Sequence, residues 1–303
     1  MATGEIWDAA RLILPATFLS PAALTAMGLG RYRVSCLVKD GRLVRLRNGR
    51  YIPADLHPDL VTAGRLGGRL DCVSLLSAIG VFVRHKPTAP HVQFTPGTTR
   101  LPPRPMGVTA HWRHTSGERA GLAAELTEAL TQACRCLTPR DAVATLDSAW
   151  HHGLVDEQAI AEIFARLPRR YRSLRQLLDR RSESGAETLM RLLLRGLGCR
   201  VEIQVKVPGV GRVDLMVDGW LIVECDSQAF HEGWYAQKRD RRRDLAAAAL
   251  GYTTVRPLAE DIYYRPDEVL ATMKAVVSHP RLQKSTQSVG VAPLGSVSRR
   301  AAH

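Results

Sequence analysis

The chain has 303 residues, of which 45% are hydrophobic and 23% are charged, and this composition is typical of folded domains and excludes general disorder. Lys and Arg total 42 against 29 Asp and Glu, so the formal net charge is +13 and a polyanionic partner is indicated. A coding bias toward Ala, Arg and Leu is the alternative explanation of the arginine content.

The cysteines and the N-terminus bear on the cellular environment. The six cysteines form no Cys-x-x-Cys pair and have no His cluster at zinc spacing, so we interpret them as buried thiols in a reducing cytoplasm. The first residues, "MATGEIWDAARLILPATFLS", are acidic where a signal peptide is basic, and their apolar run is too short for a membrane span. We expect a soluble cytoplasmic protein without a membrane partner.

Residues 1–57 predict a winged helix-turn-helix domain. Ser20 is a predicted N-cap, Pro21 stands at the first helical position, and the short helix that they begin ends at Gly28. A second helix follows in "RYRVSCLVKDG", and the β-like runs "RLVRLR" and "RYIP" are joined by an Asn-Gly pair, which is a strong hairpin signal. Helix, turn, helix and hairpin is the order of a winged helix.

The second helix and the wing are rich in cations that a DNA duplex would attract. Helix side chains would reach phosphates and base edges in the major groove, and wing side chains would reach the flanking backbone. We predict DNA contacts by Arg31, Arg33, Arg42, Arg45, Arg47 and Arg50. A small helical domain with a solvated basic face is the alternative.

Residues 58–181 predict a mixed α/β middle domain without a catalytic constellation. The segment "RLDCVSLLSAIGVFV" predicts one apolar helix, "HVQFTP" and "GVTAHWRH" predict strands, and three amphipathic helices follow, two of them capped by Thr138 and Asp156. We interpret this region as a scaffold or interaction domain. The arginine-rich segment 166–181 is either a solvated helix face or a basic strip that leads DNA to the next domain.

Residues 182–280 predict an αβββαβ domain that ends in a further helix. Strict alternation in "VEIQVKV" predicts the first strand, "RVDLMV" and "WLIVECD" predict the next two, and a long helix through "KRDRRRDLAAAALG" leads to the strand "YTTVRPL". Residues 281–303 are rich in Ser, Gly and Ala without periodicity, so we predict a disordered tail.

Three acids end the strands of the predicted hairpin. Because side chains alternate between faces, Glu224 and Asp226 share one face, and Asp214 joins them only if the connecting loop has an odd number of residues. A three-residue loop with Gly219 in the left-handed conformation meets this condition. That register also gives the hairpin one uniformly apolar face, so the sequence favours it. The alternative is that these acids are only polar residues at the ends of the hairpin strands and form no site.

Three carboxylates crowded together are stabilised by a divalent cation, and oxygen ligands suit Mg²⁺ or Mn²⁺. Such an ion would polarise a scissile phosphate and activate water. His231 is the candidate general base or proton donor, with a helix-start residue as the alternative. Cations on the following helix could bind the phosphate backbone; these are Lys238, Arg239, Arg242 and Arg243.

Two resemblances follow from these segments. The αβββαβ order with Asp214, Glu224 and "ECDSQAFHE…KRDRRRDLAAAALGYTTVR" resembles the Vsr-like branch of the PD-(D/E)XK nuclease superfamily, over roughly the last third of the chain. The first half, with "RLVRLRNGRYIP", "DCVSLLSAIG" and "RDAVATLDSAW", is similar to the AbiEi family of type IV toxin-antitoxin antitoxins.

The nuclease resemblance implies roles for particular residues. It implies that Asp214 and Glu224 are metal ligands, that Asp226 stands where the general motif has its lysine, and that His231 matches the histidine of the branch. Glu187 matches the glutamate of the first helix, although Ser184-x-x-Glu187 is also a capping box that needs no catalysis. The motif lysine is absent, and so are the ligands of the structural zinc site of mismatch-repair endonucleases.

We therefore predict a multidomain α/β (α+β) protein: an N-terminal winged helix-turn-helix, a mixed α/β middle domain and a C-terminal restriction-endonuclease-like domain. The predicted function is metal-dependent hydrolysis of DNA phosphodiester bonds in a toxin-antitoxin or phage-defence setting. The alternatives are an AbiEi-like antitoxin and transcriptional repressor with an inactive nuclease fold, and a nuclease toxin. Predicted partners are double-stranded DNA, a cognate toxin or antitoxin protein, and a second copy of the chain in a homodimer.

Overall fold

The computed structural model describes residues 3–225 and 234–279 and is mixed α and β. The chain divides into two compact units, Met1–Leu192 and Leu193–His303. The division therefore falls later than the predicted boundary after residue 181, and the predicted boundary after residue 57 lies inside the first unit.

Among its described residues, the first unit contains eight α-helices and one 3-10 helix before the helix that crosses the division, and five short strands. In chain order they are α1 (Thr3–Ile13), α2 (Pro21–Ala26), α3 (Arg31–Lys39), β1 (Leu43–Arg47), β2 (Arg50–Pro53), α4 (Pro58–Leu66), β3 (Arg69–Leu70), α5 (Cys72–Ala78), β4 (His91–Phe94), β5 (Thr109–Trp112), α6 (Leu126–Cys136), α7 (Pro139–His151) and α8 (Glu157–Arg166). A 3-10 helix, Arg169–Leu177, and helix α9 (Gly185–Gly196) follow.

The helix, turn, helix and hairpin order predicted near the N-terminus is confirmed. The Ser20 hydroxyl accepts a hydrogen bond from the Ala23 N–H at 3.1 Å, which is the predicted cap of α2, and β1 and β2 pair antiparallel. Buried side chains of α2, α3 and β1 form a small local core, whereas Leu46 and Ile52 of the hairpin join the main core of the unit. The hairpin therefore packs on the residues that follow it and does not close a separate domain.

The middle of the first unit contains a three-stranded sheet in the order β3-β4-β5, with β4 antiparallel to β3 and parallel to β5. Both predicted strands and the caps at Thr138 and Asp156 are confirmed. The single helix predicted for "RLDCVSLLSAIGVFV" is wrong. Its first residues pair with β4, the Asp71 N–H donates to the His91 carbonyl at 2.9 Å, and α5 begins only after that contact and ends at Ala78.

The predicted αβββαβ order is confirmed, and its first helix, α9, crosses the division into the second unit. Its elements after α9 are β6 (Val201–Val207), β7 (Gly211–Val217), β8 (Leu221–Val223), α10 (Trp234–Ala249), β9 (Thr253–Val255), α11 (Ala259–Tyr264) and α12 (Pro266–Val277). The sheet order is β6-β7-β8-β9, with two antiparallel pairs and a parallel pair between β8 and β9. Helix α10 is the crossover that the parallel pair requires.

None of the helices in 3–225 and 234–279 has the length and apolar character that a membrane span needs.

Candidate functional site

The hairpin of β7 and β8 has the odd register that the sequence favoured. Leu215 pairs with Val223 and Val217 with Leu221, which leaves the three-residue loop 218–220. Gly219 has φ +75°, and Asp218 has φ +49°, so two successive loop residues are left-handed. Because the Leu215–Val223 pair is in register, Asp214 and Glu224 lie opposite one another, one position further along, on the same face.

Each of the two acids is held by a hydrogen bond. The Asp214 Oδ2 atom accepts from the backbone N–H of Cys225 at 2.9 Å, and the Glu224 Oε1 atom accepts from Arg243 Nη2 at 2.9 Å. Glu224 is 8% exposed, so its charge is largely removed from water, and this guanidinium stabilises it. Two carboxylates on one face of the β7–β8 hairpin are a donor set that fits a hard divalent cation such as Mg²⁺ or Mn²⁺.

The cations of α10 differ in what they contact. Arg243 also donates to the carbonyls of Val210 at 3.2 Å and Arg212 at 2.6 Å, so it ties α10 to the β6–β7 turn and to Glu224. The other predicted phosphate-binding residues of this helix line one open cleft together with Arg243 and Gly209; they are Lys238, Arg239 and Arg242. Arg239 and Arg242 are exposed. The cleft is therefore cationic and open to a polyanion.

The other predicted catalytic residues are Asp226, His231 and Glu187. Asp226 and His231 lie outside the described residues. Glu187 belongs to the first unit, where its carboxylate accepts from the Glu183 N–H at 2.9 Å and its own N–H donates to Ser184 Oγ at 3.2 Å. This reciprocal bonding at the start of α9 is a capping arrangement, and it supports the structural alternative for Glu187.

The predicted DNA-contacting arginines of the first unit fall into two groups. Arg31, Arg33 and Arg42 are exposed on α3 and at the start of the hairpin. The other three make contacts within the unit: Arg45 with the Asn48 side chain, Arg47 with the Arg100 carbonyl, and Arg50 over the Phe18 ring. Burial, together with repulsion from Arg47 and Arg119, lowers the pKa of Arg50.

One cluster was missed by sequence analysis. Cys72, His91, His111 and Cys136 place one donor atom each within 4.8 Å of one another. The interpretation of all six cysteines as buried thiols is therefore wrong, since Cys136 is exposed. Cys72 and Cys136 lie beside two imidazoles although the sequence shows no zinc-type spacing. A hydrogen bond between the two thiols lowers the pKa of Cys136, with His111 and His91 acting in the same direction, and that bond together with burial raises the pKa of Cys72.

Most of the chain is similar to two mycobacterial proteins. No family model matches it. The uncharacterized proteins Rv2248 and MT2308, from two strains of Mycobacterium tuberculosis, are each 30% identical to it over 279 residues, which cover 83% of this chain and 98% of the relative. The chain belongs to the family of these mycobacterial proteins. Neither relative's name states an activity, so membership of this family assigns no reaction to the acids or the cluster.

Proposed function

We propose that the protein binds DNA through its N-terminal helices and hairpin and hydrolyses phosphodiester bonds at the acids of its second unit, in a toxin-antitoxin or phage-defence setting. The resemblances to AbiEi-like antitoxins and to Vsr-like PD-(D/E)XK endonucleases support this proposal at the level of sequence. The finer architecture that they imply, a winged helix joined to a restriction-endonuclease-like domain, is part of the same proposal.

The observation that carries the proposal is the position of Asp214 opposite Glu224 beside a cationic helix. The register of the hairpin brings the two carboxylates to one face, and α10 supplies the cleft lined by Lys238, Arg239 and Arg242. A phosphodiester held by those cations would present its scissile phosphate to a surface that already carries acidic oxygen ligands. If the acids were only polar residues at the ends of the hairpin strands, there would be no reason for the pair of carboxylates and the cationic cleft to occur together.

In this proposal Asp214 and Glu224 hold a Mg²⁺ or Mn²⁺ ion, with Asp226 as the predicted third ligand. The ion supplies Lewis-acid activation of the phosphate and of water. The Cys225 N–H and the Arg243 guanidinium orient the two carboxylates, since each donates to one of them at 2.9 Å. His231 is the predicted proton donor or acceptor, and the cations of α10 orient the strand.

The first unit would hold the DNA duplex through contacts between arginine side chains and backbone phosphates, which do not depend on the base sequence. Arg31, Arg33 and Arg42 are exposed on the helix and hairpin that the winged-helix interpretation places against DNA. Each phosphate contact that is lost should reduce the salt dependence of binding by about one unit in the slope of log K against log salt concentration. Arg45, Arg47 and Arg50 stay predicted contacts, although their intramolecular partners compete with phosphates for the same guanidinium groups.

The test uses the purified full-length protein with supercoiled and linear DNA, in Mg²⁺, in Mn²⁺ and in EDTA. Asp214→Asn and Glu224→Gln remove one charge each with almost no change of shape. Glu202→Gln is the matched control, because Glu202 is an exposed acid on the neighbouring strand β6 of the same unit. We expect metal-dependent cleavage by the wild type and the control, and loss of cleavage by at least 100-fold in the two site variants.

Two results would contradict the nuclease proposal. Absence of cleavage by the wild type with both metals, while DNA binding persists, would assign the second unit to a non-catalytic role. Cleavage that survives both Asp214→Asn and Glu224→Gln at the wild-type rate would place the activity elsewhere.

A second candidate function is an antitoxin-like transcriptional repressor with an inactive nuclease fold. The specific observation in its favour is that Arg243 already neutralises the largely buried Glu224, so the fold satisfies this acid without a metal. The absence of the motif lysine also favours it. Binding to a promoter sequence that weakens in Arg31→Ala and Arg33→Ala, without cleavage in any metal, is the result expected for this function.

A further inference from the structure

The cluster of two cysteines and two histidines in the first unit comes from four different elements. Cys72 is the first residue of α5, His91 begins β4, His111 lies in β5, and Cys136 ends α6. Consecutive members are at least nineteen positions apart in the sequence, so no local motif joins them. The fold alone brings them together.

The parallel pairing of β4 and β5 explains why the two histidines meet. His91 pairs with Thr109 and Gln93 with His111, so both imidazoles stand on the same face, offset by two positions on neighbouring strands. The His91 Nδ1 and His111 Nε2 atoms are 3.1 Å apart. The first turn of α5 fixes this strand, because the Ser74 hydroxyl accepts from the His91 N–H at 2.8 Å.

The cysteines complete the group from the two helices. The Cys136 Sγ atom is 4.0 Å from His111 Nε2, and all four donor atoms lie within 4.8 Å of one another. A tetrahedral zinc ion, with bonds of about 2.0–2.1 Å to nitrogen and about 2.3 Å to sulfur, sets its ligands roughly 3.3–3.8 Å apart. The cluster therefore needs only small side-chain adjustments to surround such an ion.

The neighbouring residues hold the cluster in place. Cys72 has φ +52°, a left-handed conformation that is unfavourable for a non-glycine residue and persists only where the surroundings impose it. The preceding Asp71 is fully buried and bonded to Arg113 through both carboxylate oxygens, at 2.5 and 2.7 Å. Gln132 donates to the Cys136 sulfur at 3.4 Å. These contacts are the kind of outer support that orients metal ligands.

We infer that Cys72, His91, His111 and Cys136 form a four-ligand zinc site that ties α5, β4, β5 and α6 together. Two sulfur and two nitrogen donors select Zn²⁺ over Mg²⁺, which prefers oxygen. Four protein ligands fill a tetrahedral shell, so the site is structural and does not present an open position for catalysis. Exposure of Cys136 gives the ion a path from solvent.

The first experiment measures metal content and the spectrum of a cobalt derivative. The full-length protein, purified under reducing conditions without chelator, is assayed for zinc by mass spectrometry, and Zn²⁺ is then exchanged for Co²⁺. We expect one zinc ion per chain and a cobalt spectrum with the intense visible bands of tetrahedral geometry and thiolate charge transfer. A reduced wild-type protein that contains no zinc and gives no such spectrum with Co²⁺ would overturn the inference.

Variants locate the site. Cys136→Ser is chosen because Cys136 is exposed, and Cys134→Ala is the control on the same helix, since Cys134 is buried but lies outside the cluster. We expect Cys136→Ser to bind zinc at least 100-fold more weakly and the control to keep the ion. Cys136→His should keep the ion and lose part of the thiolate charge-transfer intensity, and this readout does not depend on loss of folding.

Other outcomes are equally decisive. A Cys72–Cys136 disulfide in protein that was purified without reductant and binds no metal after reduction would overturn the inference in favour of a redox pair. Zinc that survives Cys136→Ser unchanged but is lost in Asp214→Asn would place it at the carboxylates of the second unit. Failure of DNA cleavage leaves the zinc result unaffected, because the two sites share no residue.

Discussion

A buried ion pair in the first unit gives a prediction that can be worked through in numbers. Asp147 on α7 and Arg191 on α9 are 1% and 0% exposed, and the Arg191 Nη2 atom lies 2.7 Å from Asp147 Oδ2. The Thr188 hydroxyl donates to the same oxygen at 2.9 Å, and the Asp179 N–H donates to the other oxygen at 2.8 Å. The pair therefore connects α9 to α7 in the interior of the first unit.

Burial raises the pKa of Asp147 from 3.8 to about 6, and the Arg191 charge, with the hydrogen bonds from Asp179, Thr188 and Arg191, opposes that increase. The folded state therefore binds a proton at a pH where the unfolded state has released it. The contribution to stability is fully present below pH 3.8 and is lost as the pH rises through 6. A difference of about two pKa units corresponds to roughly 3 kcal/mol in the free energy of unfolding.

The assay is hydrogen exchange of peptides from α7, corrected for intrinsic exchange rates, between pH 4 and pH 7. Asp147→Asn removes the titration, so the wild-type advantage over this variant should shrink by roughly 2 kcal/mol across that range, the rest being lost below pH 4. Glu162→Gln on the exposed side of α8 controls for a general carboxylate-to-amide effect. If Asp147→Asn does not fold, Thr188→Val is used in its place, because it keeps the ion pair. Loss of the Thr188 hydroxyl should raise the pKa of Asp147 further, so that stability is lost at higher pH.

The opposite sign would refute this reasoning. If the wild-type advantage over Asp147→Asn grows between pH 4 and pH 7, the attraction of Arg191 outweighs burial, and the carboxylate is stabilised in its charged form.

Three further changes test particular contacts. Gly219→Ala should lower the free energy of unfolding in urea by roughly 1 kcal/mol, because residue 219 has φ +75°. An added Cβ would meet nothing within 4 Å, so the effect comes from the backbone conformation alone. An unchanged urea midpoint would contradict the left-handed loop. Arg243→Met should lower the free energy of unfolding by about 2 kcal/mol, since it removes the guanidinium that contacts the buried Glu224 carboxylate, and adding Glu224→Gln should recover most of the loss. Ser184→Ala should lower the stability of the start of α9 by about 1 kcal/mol, because the Glu187 N–H loses the hydroxyl that caps it. Hydrogen exchange of the first turn of α9 measures this loss. Protection equal to that of the wild type would exclude the cap.

Local chemistry made much of the second unit predictable. The apolar alternation of β6 and of the β7–β8 hairpin follows from the two-residue period of a strand, and the odd loop followed from the demand for one apolar face. Val213, Leu215 and Val223 on that face are 0% exposed. The helix N-caps were equally predictable from the sequence, because each depends on residues within one helical turn; they are Ser20, Thr138 and Asp156.

Contacts between distant segments were not predictable in the same way. The cluster of Cys72, His91, His111 and Cys136 depends on a parallel strand pair and on two helix ends, and no short spacing in the sequence records that geometry. The role of Arg243 was likewise hidden. As one of several cations on α10 it was predicted to bind phosphate, whereas its carbonyl partners and Glu224 are revealed only by the packing of α10 beside the sheet.

The contact between Arg243 and Glu224 makes this pair of acids compatible with both proposed functions, nuclease and repressor. A largely buried carboxylate opposite a second one is costly, so a chain that lost its metal would be expected to lose these acids unless another cation took over. Arg243 is such a cation, at 2.9 Å from Glu224. The arrangement is therefore stable with or without catalysis, and the acids can persist for structural reasons. Metal-dependent cleavage, with Glu202→Gln beside the site variants, is the measurement that separates the two functions.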